Sequence, residues 1–106
     1  MEPMTEVGHI EDIPPGEGRA YAVKGQQLAV FHLRDGSVRA LQATCPHRGG
    51  PLADGLIDDC VVVCPLHGFT YDLLTGTETA NDGAAVEAYG ASLDVDGTIH
   101  VTLPAP

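Results

Sequence analysis

Apolar residues along this chain come in short runs, alternate with polar ones, and are cut by glycine, proline or acidic turns. Residues 7–10 form a first strand, which ends before Pro14-Pro15-Gly16, a tripeptide that interrupts regular structure. Residues 19–24 and 27–33 flank Gly25-Gln26, and Asp35-Gly36 separates 27–33 from 38–43, so two successive β-hairpins are predicted. Within 27–33, Leu28, Val30 and His32 alternate with Ala29, Phe31 and Leu33. Both faces are largely apolar, so the period does not say which one meets a core. Residues 51–55 read as a turn, 56–63 as a short hairpin pivoting at Asp58-Asp59, and 69–74 as one strand ended by Thr75-Gly76. Residues 80–90 are small and polar without a clear period, which predicts a loop. A last hairpin, 91–95 with 98–103 about Asp96-Gly97, carries alternating apolar positions at Leu93, Val95, Ile99, Val101 and Leu103. No helix of ordinary length is signalled. Many short strands with frequent turns predict an all-β domain.

Composition adds limits to this picture. At 106 residues the chain has the size of one domain with a modest core. Apolar residues make up 43% and charged ones 19%, ordinary for a soluble protein, and no run approaches the roughly 18 apolar residues of a membrane span. The start, Met1-Glu2-Pro3-Met4-Thr5-Glu6, is acidic where a secretory leader would be basic and then apolar, so a cytoplasmic location is expected. A net charge of -10 argues against nucleic acid or an anionic membrane as partner and suits a basic protein partner, although the same acidity also keeps a domain soluble.

The chemistry concentrates in two short segments, Cys45-Pro46-His47-Arg48-Gly49-Gly50 and Cys64-Pro65-Leu66-His67-Gly68, separated so that sixteen residues lie between His47 and Cys64. Each offers one soft sulfur and one borderline nitrogen ligand. A proline after each Cys stiffens the turn, and the glycines let backbone N–H groups approach whatever sits between the loops. The reading is a four-ligand metal site made from two loops. Zinc accepts the same ligands, but its usual spacing puts two Cys on one knuckle and two His or Cys on another, unlike the mixed pair on each loop here. The third cysteine, Cys60, stands beside Val61, Val62 and Val63 and reads as a small apolar side chain. A thiol left without a disulfide partner fits a reducing compartment.

Cys-x-His, sixteen residues, then Cys-x-x-His resembles the signature of the Rieske iron-sulfur family, and the resemblance continues through Phe69-Thr70-Tyr71-Asp72 and Thr75-Gly76. It implies one [2Fe-2S] cluster per chain, with Cys45 and Cys64 on one iron and His47 and His67 on the other. It implies an antiparallel β-sandwich base carrying an inserted cluster-binding subdomain at about 44–70, within a single domain spanning 1–106. High-potential members carry a further Cys on each ligand loop, which form a disulfide, and a Ser and a Tyr hydroxyl directed at cluster sulfurs. The matching residues here are Gly50 and Leu66, Phe69, and Tyr71. Only Tyr71 keeps such a donor, so the potential is expected toward the low end of roughly -150 to +300 mV. Many members also cover the cluster with a Pro-rich third loop, and this chain has no Pro between Leu66 and Leu103.

The resemblance implies a one-electron carrier for a redox protein partner, and no acid/base pair, nucleophile or phosphate loop appears elsewhere in the chain. The run from Cys45 to Gly55, with Ala29-Val30-Phe31 upstream and Asp72-Leu73-Leu74-Thr75-Gly76 downstream, resembles small subunits of NAD(P)H-dependent assimilatory nitrite reductases. Length also suits the ferredoxin components of aromatic-ring dioxygenase systems. A zinc-stabilised interaction module is the rival of another class, and colour in the purified protein would separate it from both.

Overall fold

The two apolar faces of 27–33 belong to a strand buried on both sides. In the computed structural model, which describes residues 4–23, 25–43, 52–58, 61–63, 70–73, 75–78 and 86–102, nine strands follow one another. They are β1 (Met4–His9), β2 (Glu17–Val23), β3 (Gln26–His32), β4 (Val38–Gln42), β5 (Leu56–Asp58), β6 (Val61–Val63), β7 (Thr70–Asp72), β8 (Ala88–Leu93) and β9 (Thr98–Thr102). Three-residue 3-10 turns occur at Ile10–Asp12 and Leu52–Asp54. Among the described residues no helix is long and apolar enough to cross a membrane.

Six strands form one antiparallel sheet in the order β1-β9-β8-β4-β3-β2, and β5-β6-β7 form a second. The large sheet curls until its edge strands meet, with the Tyr21 ring of β2 lying over Gly8 of β1. Curling encloses one core of Leu28, Val30, Val38, Ala40, Ile13, Val23, Ile99 and Val101. The opposite face of β3 and β4 supplies Ala29, Phe31, Leu33 and Leu41 to a second core, completed by Leu52, Ala53, Val62, Tyr71, Leu73 and Val86. Each strand of the central pair therefore sends alternate residues into different cores. That is the physical reason the period of 27–33 selects no single buried face.

The all-β antiparallel architecture and most predicted turns are present, and three expectations need correction. The predicted loop over 80–90 ends earlier, because 88–90 belong to β8. There Ala40 pairs with Tyr89 and Leu41 with Ala88, so the free edge of β4 recruits a segment whose small residues show no strand period. The last hairpin turns earlier than expected, with Asp94 N–H donating to the Thr98 carbonyl and Gly97 N–H to the Asp94 carbonyl. This leaves Leu93 and Val95 exposed, Val95 fully so, while Ile99 and Val101 are buried as predicted. The first strand also begins before residue 7, at Met4, and Ile10 passes into the 3-10 turn. Phe69, Leu74 and Leu103, assigned to strands from the sequence, lie outside the described residues.

Candidate metal centre

Cys45, His47, Cys64 and His67, the four predicted ligands, lie outside the described residues, as does Cys60. What the structure describes is where the two ligand-bearing segments begin and end. Ahead of Cys45, the chain leaves β4, and behind His47 it re-enters at Leu52, whose N–H donates to the Ala43 carbonyl at 2.9 Å. Ahead of Cys64 it leaves β6 at Val63, and behind His67 it re-enters β7 at Thr70, the register partner of Val63. Each segment is thus closed at its base by a backbone pairing.

The two bases also touch each other. Gly55 follows the Leu52–Asp54 turn and precedes β5, whose Leu56 pairs with Val63. A Cβ at Gly55 would run into the Val63 carbonyl oxygen, and would stand 2.9 Å from Val62 Cγ2 and 3.1 Å from the Leu52 carbonyl oxygen. Only a residue without a side chain lets the stem of the first segment approach that of the second so closely. Gly18 does the same on the other side of the turn, where a Cβ would stand 2.6 Å from the Phe31 ring and 2.9 Å from the Ala53 carbonyl oxygen. The Leu52–Asp54 turn is therefore seated on β2 and β3.

Tyr71, the predicted hydroxyl donor, is fully buried in the core shared with Leu52, Ala53, Val62 and Leu73. It pairs with Val62 in β6 and forms an antiparallel bridge to Glu78 on its other side. Among the described strands, β7 is an edge strand of that sheet. Its N–H groups are taken up by the returning chain: Asp72 N–H donates to the Thr77 carbonyl at 2.9 Å, and Thr70 N–H to Glu78 Oε2 at 3.2 Å. Glu78 is 4% exposed, a buried polar side chain among the described residues. Sequence reasoning missed it. One Glu inside Thr75-Gly76-Thr77-Glu78-Thr79 looks solvated, and only the bridge to Tyr71 turns it inward.

The remaining histidines have other work. His32 Nδ1 lies 2.7 Å from the Ile13 carbonyl, His9 Nε2 lies 2.6 Å from the Asp96 carbonyl, and His100 Nε2 lies 2.6 Å from Asp94 Oδ2. None of the three belongs to the candidate site. The donor set left to the two segments is two thiols and two imidazoles on stems in mutual contact. That set fits a two-iron centre with unlike ligands on its two irons, and by type alone it also fits tetrahedral zinc.

Comparison with known proteins separates these. A model of the Rieske [2Fe-2S] domain matches residues 4–90. The Mycobacterium tuberculosis protein assigned as an NADH-dependent nitrite reductase small subunit superposes with a TM-score of 0.92 at 26% identity, covering 100% of this chain and 99% of that one. The ferredoxin of carbazole 1,9a-dioxygenase from Nocardioides aromaticivorans superposes with a TM-score of 0.85 at 28% identity, over 95% of this chain and 98% of that one. Cholesterol 7-desaturase of Ciona intestinalis is 39% identical over 64 residues, which are 58% of this chain. The matched region spans 13% of the length of that desaturase and of its Xenopus laevis counterpart.

Proposed function

This chain belongs to the Rieske [2Fe-2S] domain family, and from that premise we propose that it is a one-electron carrier serving a redox protein partner. The cofactor of the family is one [2Fe-2S] cluster, which supplies reversible one-electron oxidation and reduction when bound. Cys45 and Cys64 would hold one iron through sulfur, and His47 and His67 the other through ring nitrogen, within a subdomain of about 44–70 in a single domain of 1–106. The observation that carries this reading is the match of residues 4–90 to the Rieske [2Fe-2S] domain, with the contact between the two segment stems at Gly55 in support.

The chain's own contribution is support. Leu52, Val62 and Tyr71 share one buried core, and backbone pairings at Leu52 and Thr70 close the base of each ligand segment. A preorganised frame of this kind keeps the geometry similar in both redox states, which favours fast transfer. No residue is assigned a catalytic role. The carrier is assigned to a small subunit of a nitrite-reductase-like oxidoreductase, supported by the end-to-end likeness to the Mycobacterium tuberculosis protein. A role as ferredoxin component of an aromatic-ring dioxygenase system is the second reading, favoured by the likeness to the carbazole dioxygenase ferredoxin. The net charge of -10 supports a partner with a basic docking face rather than nucleic acid or an anionic membrane, and a third cysteine left over from the four ligands suits a reducing, cytoplasmic place of action.

The test is a visible spectrum of the purified protein and its EPR spectrum after dithionite. Iron at two per chain with a Rieske-type signal is expected. A colourless protein holding one zinc would refute the carrier and restore the interaction module. Mixing the reduced protein with a nitrite reductase catalytic subunit or with a ring-hydroxylating oxygenase then separates the two carrier readings by which of the two reoxidises it.

A further inference from the structure

We propose that His9 is a pH-sensitive latch: as a neutral imidazole it caps the Ile10–Asp12 turn and pins that turn to the β8–β9 hairpin, and protonation breaks the cap while leaving the pin. This goes beyond the carrier reading and does not depend on it.

The partners of the two ring nitrogens settle the protonation state. Nε2 lies 2.6 Å from the Asp96 carbonyl oxygen, which can only accept, so Nε2 bears a hydrogen. Nδ1 lies 3.1 Å from the Glu11 backbone nitrogen, whose N–H can only donate, so Nδ1 bears none. One neutral tautomer satisfies both bonds, and the imidazolium, with a hydrogen on each nitrogen, does not. The cap is completed by the His9 N–H, which donates to Asp12 Oδ2 at 3.4 Å.

The ring is seated by what lies against it. A Cβ at Gly97 would stand 2.7 Å from both Cε1 and Nε2 of His9, so the ring rests on a glycine, whose φ of +91° also suits no other residue well. The same two segments are joined along the backbone, where Ile10 N–H donates to the Gly97 carbonyl at 2.8 Å and His9 pairs with Thr98. Turning the ring over would take Nε2 from Asp96 and Nδ1 from Glu11 together.

Protonation therefore acts on one bond. A hydrogen on Nδ1 points at the Glu11 N–H and opens the cap, and Glu11 Oε1, at 3.6 Å, is the acceptor then in reach. Nε2–H keeps the Asp96 carbonyl. The charged side chains around the ring are Glu11 and Asp12 on the turn, Asp96 on the hairpin, and Arg19 of β2, whose Nη1 lies 3.5 Å from the Asp12 carbonyl. Asp94 of the same hairpin is taken by His100 at 2.6 Å, and the Tyr21 ring covers the neighbouring Gly8. The three carboxylates draw a proton toward His9 and the Glu11 N–H opposes it, so the cap is the bond at stake. The ring is 36% exposed and takes its proton from solvent. The change stays local, because Ile13 beyond the turn is buried and its carbonyl accepts from His32 Nδ1 at 2.7 Å, a bond that a second proton on His32 would not break.

The experiment follows wild type through about pH 5–8, the range in which imidazole titrates. It reads the His9 ring nitrogens by NMR and the Glu11 and Ile10 amides by hydrogen exchange, as protection relative to an unfolded chain at the same pH. The Nε2–H tautomer is expected at high pH, with Glu11 protection falling about tenfold along the His9 titration, as for the loss of one N-cap. Ile10 is expected to keep its protection. His9→Asn supplies a cap acceptor that takes no proton, so its Glu11 protection should be level with pH, and that of His9→Ala should be low throughout. An Nδ1–H tautomer, a ring that stays neutral down to about pH 5, Glu11 protection unmoved by the His9 titration, or a His9→Asn protein with the pH course of wild type each overturns the latch. Loss of Ile10 protection in parallel with Glu11 overturns the pin. The wild-type readings decide the matter even where a variant fails to fold.

Discussion

Gly55→Ala tests whether the contact between the two stems is what makes the site. The new Cβ meets the Val63 carbonyl oxygen, with the Leu52 carbonyl oxygen at 3.1 Å and Val62 Cγ2 at 2.9 Å. Two of these are backbone atoms and cannot rotate aside. A carbon rests against a carbonyl oxygen at about 3.3–3.6 Å, so relief requires a shift on the order of 1 Å between Gly55 and Val63. That shift acts directly on the Leu56 to Val63 pairing and hence on the residue before Cys64. Overpacking of this kind costs about 1–3 kcal/mol. At about 4–8 °C per kcal/mol for a domain near this size, a cost of about 2 kcal/mol lowers the melting temperature by roughly 8–16 °C. Iron per chain should fall as well, because the segments bearing Cys45, His47, Cys64 and His67 are pushed apart. Gly90→Ala is the control, since among the described residues a Cβ there meets only Thr102, at 3.4 Å, and removing a strand glycine is expected to be neutral or to gain about 0.4–1 kcal/mol. Circular dichroism melts and iron analysis on the loaded proteins make the comparison. Full iron and a melting temperature within about 2 °C of wild type in Gly55→Ala would refute the reasoning.

Replacing Cys45, His47, Cys64 or His67 singly by Ala should abolish the iron-dependent absorbance, whereas Cys60→Ala should retain it; lost iron in the Cys60 variant would sink the ligand assignment. Tyr71→Phe keeps the buried ring and removes the hydroxyl, so the fold should persist while the midpoint drops by roughly 20–60 mV, the equivalent of a hydrogen bond of about 0.5–1.5 kcal/mol. An unchanged midpoint would reduce Tyr71 to a core aromatic. Asp96 accepts the Thr98 N–H at 3.1 Å, and the bonds from Thr98 N–H and then from its hydroxyl hold the carboxyl below its ordinary value. With the folded value depressed, this support for the last hairpin is present above the ordinary aspartate range and is lost as pH falls through the folded value. NMR of the Thr98 amide should titrate below the ordinary range in wild type and lose that titration in Asp96→Asn; a titration at or above the ordinary range would contradict it.

The parts of this protein that were legible in the sequence are those where local chemistry and tertiary structure agree. Asp35-Gly36 and Asp96-Gly97 mark turns by their own backbone preferences, the turn expected at Gly25-Gln26 falls one residue earlier because Gln26 already pairs with Val23, and all three hairpins are present. The family was legible for a related reason, because the spacing of Cys and His on Gly/Pro loops is a local property. Three things were not. The double burial of β3 depends on what packs above and below it, which no period within the strand encodes. Residues 88–90 form a strand because β4 offers an edge, not because Ala88, Tyr89 and Gly90 favour one. Glu78 is polar in a polar stretch and becomes a buried group only through its bridge to Tyr71.

The double burial of β3 also decides how the site is stabilised. Leu52, Ala53, Val62, Tyr71 and Leu73 are too few to form a core that stands alone, and a three-stranded sheet of such short strands is marginal without packing on one face. They are buried because Ala29, Phe31, Leu33 and Leu41 complete the same cluster from the large sheet. The dependence runs both ways, since without the small sheet that face of β3 and β4 would present Phe31, Leu33 and Leu41 to water. Folding of the base therefore requires the frame that carries the ligand segments. A site built this way unfolds with its scaffold rather than ahead of it, and its stems stay paired for as long as β3 remains buried on both sides.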